Sequence, residues 1–190
     1  MRRACAGARV TLRALVPVLG PRDHGLLLLL VAICFMHPFP MPGISWGLGA
    51  LVVVSGVRMA RGRGLWLPES ILDRPVPASP LSKLFGWAAA FFRKTEALIR
   101  PRGRWLAEHR WAVRVTGGAI FVCGLMLLIP IPPPTNYPPA TALLLLSLGL
   151  LESDLVFLAL GHAATAAGVA FFAWIAVVGV SGLHALIAKL

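Results

Sequence analysis

The last stretch of this chain constrains it most. From Leu155 to Ile187 it runs for 33 residues without a formal charge, its histidines taken as neutral. At roughly 1.5 Å per residue a helix of that length is about 50 Å long, against a hydrocarbon core of about 30 Å. A single crossing would need strong tilt. Residues 161–168, small throughout except His162, are therefore expected to bend or turn the segment. Only 13% of the 190 residues are charged and 58% are hydrophobic, whereas a soluble domain carries about 25% charged residues. That excludes an ordinary water-soluble globule, and the same apolar content excludes disorder. Cys5, Cys34 and Cys123 lie far apart, so neither a disulfide framework nor a metal cluster finds support in their spacing.

The net charge of +11 is unevenly spread. Residues 1–114 hold 17 of the 18 Lys and Arg with five acids, and residues 115–190 hold only Lys189, Glu152 and Asp154. Basic clusters flanking apolar segments are the positive-inside pattern of a bacterial inner-membrane protein, with the N-terminus and basic loops on the cytoplasmic side. A nucleic-acid partner would need that basic face on a soluble fold, and is not expected. Residues 1–24 mix arginines with Val10, Leu12, Leu15, Val16 and Leu19, as an amphipathic interfacial helix does. Arg13 interrupts the early apolar stretch, which argues against a cleaved signal peptide.

Two apolar hairpins follow, at 25–57 and 113–151. Each is split by prolines: Pro38, Pro40 and Pro42 in the first, Pro130, Pro132 and Pro134 in the second. Proline lacks an N–H and restricts the residue before it, so neither break continues a helix. The arms of 12–15 residues are short for a bilayer. They read either as re-entrant hairpins or as short tilted helices joined by turns at the far membrane surface. The hairpins align without gaps at a shift of 92 residues, pairing Arg22 with Arg114, Gly25 with Gly117, all three prolines, and Ser55 with Ser147. An inverted relation between them would require an odd number of crossings in 58–112, where residues 81–92 are the only candidate. That intervening stretch is basic and Trp-bearing, and is expected at the cytoplasmic headgroup layer. Arg93, Lys94, Arg100 and Arg102 would there contact anionic lipid. The fold class is thus all-α: one polytopic membrane domain with two Pro-interrupted hairpins related by a repeat, and a C-terminal transmembrane segment over 155–188.

Residues 38–45 (Pro-Phe-Pro-Met-Pro-Gly-Ile-Ser), Trp66-Leu67-Pro68, Pro130-Ile131-Pro132 with Asn136 and Pro139-Ala140, and residues 148–154 (Leu-Gly-Leu-Leu-Glu-Ser-Asp) together resemble the ExoD family of exopolysaccharide-synthesis membrane proteins. The likeness covers roughly 25–172, with Leu155 where the family usually has glycine. It implies a role in exopolysaccharide synthesis or export, and carries over no catalytic residues.

Enzyme signatures are absent: no His-Glu-x-x-His, P-loop, nucleophile elbow or dinucleotide fingerprint occurs. The chain reads as a non-enzyme without cofactor. Paired Pro-interrupted segments are the sequence pointer to a transporter-like site. The helix starts after them would turn N–H groups toward an anion such as a polyprenyl phosphate or a lipid-linked saccharide. The nearest candidates are His37, Ser45, Gly47, Thr135, Asn136 and Thr141. Asp154 and His162, eight residues apart, could form an intramembrane proton relay. Alternatively, Asp154 caps the following helix and His162 bonds a neighbouring one. The rival function is a non-transporting scaffold for the polysaccharide machinery, and either function admits a homo-oligomer.

Overall fold

The structure is a computed structural model and describes residues 9–11, 23–36, 44–64, 75–77, 105, 109–129 and 133–187. These are helical apart from one short ribbon. The elements are β1 (Arg9–Thr11), α1 (Asp23–Met36), α2 (Ile44–Ala60), β2 (Pro75–Pro77), α3 (Arg110–Leu128), a 3-10 turn (Pro133–Asn136), α4 (Tyr137–Glu152) and α5 (Leu155–Ile187). The ribbon corrects the expected N-terminal helix at residues 9–11. Val10 pairs antiparallel with Val76, and prolines flank Val76 on both sides. Their fixed φ suits extended backbone, and β-branched Val10 and Thr11 suit its partner.

Helix ends follow local chemistry. α2 stops at Gly62, whose φ of +67° is left-handed. Arg63 N–H bonds Arg58 O and Gly62 N–H bonds Met59 O, each at 2.9 Å, so the terminal carbonyls are satisfied by the glycine-terminated hook that closes many helices. α3 starts at His109, whose Nδ1 accepts from Trp111 N–H at 3.3 Å. It ends at Leu128 because Ile129, directly before Pro130, is extended at ψ 122°.

The two hairpins pack across one another. α2 lies chiefly on α3, α1 on α4, and α5 on α4; partners within a hairpin touch less. The buried core runs through Leu28 and Leu29 of α1, Val52 of α2, Ile120 and Leu127 of α3, and Leu143, Leu146 and Leu148 of α4. At the α2–α3 crossing the backbones meet. A Cβ at Gly117 would fall 2.5 Å from Ala60 N, and one at Gly56 2.5 Å from Phe121 N.

These contacts set direction. Gly117 near the start of α3 meets the end of α2, while Gly49 near the start of α2 meets Leu128 at the end of α3. Gly25 at the start of α1 likewise meets Leu151 at the end of α4. The helix ends that flank the two proline breaks therefore share one end of the bundle, and arginines 58, 61, 63, 110 and 114 share the other. The hairpins point the same way, so no inverted relation is present between them.

α5 runs as one helix through 161–168, where a bend or turn was expected, so no turn interrupts it. Its small residues serve packing instead. A Cβ at Gly161 would fall 2.6 Å from Leu146 Cδ2, and Gly168 lies beside Met126, near the end of α3. Val169 to Ile187 then run on past the breaks for about 28 Å, at roughly 1.5 Å per residue. Val169, Phe171, Trp174, Val177 and Val178 are exposed there. α3 and residues 155–179 of α5 are long and apolar enough to cross a membrane, and only 28% of the α5 window is buried.

Candidate functional site at the helix breaks

The second break is built by prolines on both sides of Asn136. A 3-10 turn over Pro133–Asn136 leads directly into α4, whose second and third residues are Pro138 and Pro139. An N-cap side chain normally accepts from the N–H of the second or third helical residue. Here both are prolines and have none. Asn136 is also right-handed helical, at φ −79° and ψ −16°, and its side chain makes no capping bond. Its Oδ1 is buried without a hydrogen-bond partner. An orphaned buried acceptor costs about 1–3 kcal/mol, so the break holds an acceptor that a ligand donor would relieve.

The same prolines revise the anion expectation. Of the first three residues of α4 only Tyr137 has an N–H, so this helix start offers little to a phosphate. α2 begins Ile44-Ser45-Trp46, all with N–H groups, and is the better anion terminus. Gly47 on that first turn is exposed, and a methyl group placed there would meet nothing within 4 Å. Thr135 is half-buried in the 3-10 turn. Thr141 is exposed and donates to Tyr137 O at 2.8 Å, which commits its proton to its own helix.

Other candidates lie elsewhere. His37 and the first proline cluster fall outside the described residues, as do Arg93, Lys94, Arg100, Arg102 and the side chain of Ser45. Asp154 is 1% exposed, at the arginine end, where its Oδ1 accepts from Val156 N–H at 2.9 Å and caps α5. The elbow before it holds Ser153 left-handed at φ 53°, with Asp154 N–H bonding Gly149 O at 3.0 Å. His162 Nδ1 donates to Leu158 O at 2.7 Å within its own helix, and its Nε2 is buried without a partner. Eight residues of helix separate Asp154 from His162 by about 12 Å along the axis. Each makes a bond to nearby backbone, and neither reaches the break.

Sequence reasoning missed the aromatics of the break end. Trp46 is 61% and Tyr137 42% exposed, each in the first turn after a break. They stand within one position of equivalence at the 92-residue shift, a signal the identity matches pass over. Ser55 Oγ, in the core of α2, is another buried atom without a partner.

The described residues thus form a helical bundle with two helices long and apolar enough to cross a membrane, and with prolines around an unsatisfied amide at the start of α4. The chain belongs to the ExoD family: it matches the family described as "Exopolysaccharide synthesis, ExoD" over residues 1–174. It is 32% identical over 169 residues to Protein ExoD of Rhizobium meliloti (strain 1021), covering 88% of this chain and 70% of that one. No solved structure matches it.

Proposed function

We propose that the chain acts in exopolysaccharide synthesis or export, as a multi-pass protein of the bacterial inner membrane that binds a lipid-linked saccharide at the proline breaks without catalysing a reaction. Family membership supports the process. The observation that carries the site is Asn136 Oδ1, buried and unpartnered. Only a donor relieves it, so the group it meets is a saccharide hydroxyl. The phosphate of such a substrate falls instead to the first turn of α2, where the N–H groups are intact.

Two features support the finer architecture. α1 and α3 end at Met36 and Leu128, and α2 and α4 end at Ala60 and Glu152. Both pairs are separated by the 92 residues of the repeat. α5 overruns the break end by about 28 Å of apolar helix, which favours breaks that enter the bilayer and stop within it. Exposed backbone at that depth must meet water or a ligand, as must Trp46 Nε1–H and the Tyr137 hydroxyl. Arg93, Lys94, Arg100 and Arg102 remain candidates for anionic-lipid contact on the cytoplasmic side.

Replacing Asn136 by Ala tests the reading. Polysaccharide production in a complemented deletion strain is expected to fall to background, and lipid phosphate copurifying with the chain is expected to fall with it. Full production by Asn136→Ala would leave the break a turn and favour the scaffold function.

A further inference from the structure

The bundle end opposite the breaks carries its charges on opposite sides. Arg58, Arg61 and Arg63 close α2, and Arg110 and Arg114 open α3. The backbone contact at Gly56, Ala60 and Gly117 sets these two helix ends side by side. Among the described residues, the acids of this end lie on the other helices: Asp23 opens α1, Glu152 closes α4 and Asp154 caps α5. Asp154 is buried with Oδ1 already engaged, and Glu152 is half-buried.

The arginines are in a different condition. Arg58 is half-buried, and its Nε donates to Gly64 O at 2.9 Å, closing the turn after α2. Arg61, Arg63, Arg110 and Arg114 are exposed, and among the described residues none is paired with a carboxylate. Arg110 also opposes the local field: it stands in the first turn of α3, where the dipole is already positive and no acid is present. Four like charges thus sit on, or just beyond, two touching helix ends. Among the described residues no carboxylate answers this charge.

Trp111, in the same first turn of α3, is 70% exposed. Such amphipathic rings sit at headgroup depth, and the anion at that depth is lipid phosphate. We propose that the paired ends of α2 and α3 form a binding surface for anionic phospholipid headgroups, with Arg61, Arg63, Arg110 and Arg114 holding phosphate oxygens and Trp111 anchoring at the interface. The guanidinium fork suits two-point contact with phosphate. This surface rests on the membrane placement proposed above, and is independent of the breaks and of any saccharide.

The test uses the full chain in nanodiscs of zwitterionic lipid with increasing phosphatidylglycerol. The unfolding midpoint of the wild type is expected to rise with anionic lipid. The variant combining Arg61→Gln, Arg63→Gln, Arg110→Gln and Arg114→Gln is expected to match it in zwitterionic discs and to lose most of the rise. The corresponding four Arg→Lys changes should keep most of it. If the fourfold Gln variant does not fold, each pairwise variant is expected to lose about half. A full rise in the Gln variants, or a rise produced by inorganic phosphate alone, would overturn the surface. Release of the wild-type chain from membranes by alkaline carbonate would overturn the membrane reading and this surface with it.

Discussion

Gly117 and Gly118 are neighbours on α3 with opposite demands. A methyl group on Gly117 would overlap the backbone of Ala60, whereas nothing lies within 4 Å of one on Gly118. Gly117→Ala must push α2 and α3 apart, and is expected to destabilise by about 1–3 kcal/mol or more. Gly118→Ala is expected to be neutral or to stabilise by up to ~1 kcal/mol, since alanine loses less backbone entropy in a helix. Thermal unfolding of both variants in one detergent checks the pair, and equal midpoints would contradict the backbone contact. Asn136→Ala belongs at this scale too. It removes an acceptor without a partner, so stability is expected to hold or improve slightly while function is lost. A lowered midpoint would show that the amide clamps the loop. Gly25 and Gly117 were visible in the sequence as aligned glycines. That Gly117 touches the other hairpin was not, because identity at a fixed shift carries no information about who packs on whom.

The boundaries that prolines set were largely legible: Pro130 forces Ile129 extended. The left-handed turn that Gly62 supplies after α2 was not read from the sequence. The continuity of α5 was not legible. Its glycines read as breakers on composition, yet Gly161 and Gly168 face neighbouring side chains, and packing overrides their weak propensity. The elbow between α4 and α5 also decides the role of Asp154. As a cap, its Oδ1 serves the Val156 N–H, and Asn supplies the same oxygen. Asp154→Asn is therefore expected to retain stability and polysaccharide production, while Asp154→Ala loses about 1 kcal/mol. Loss of production in a stably folded Asp154→Asn variant would instead mark a proton carrier.

At the scale of the whole molecule, charge and apolar run lengths pointed to a membrane-associated helical chain, but the pairing of α1 with α4 and α2 with α3 is tertiary and left no local trace. The depth of the breaks can be measured directly. In a background lacking Cys5, Cys34 and Cys123, cysteines at Ala170, Ala173 and Val177 are expected to resist a membrane-impermeant maleimide, and one at Tyr137 to react from a single side of the bilayer. Strong labelling across 170–177 would place that half of α5 in water and the breaks at the far surface. The crossed pairing also bears on how the chain is made. When α1 and α2 leave the ribosome, the surfaces that will cover Leu28, Leu29 and Val52 have not been synthesised. About 70 residues separate the end of α2 from the end of α3, several seconds of translation at ~5–20 residues per second. During that interval the first hairpin must be sheltered by lipid or an insertion factor, and its late partner, not its own sequence, completes it.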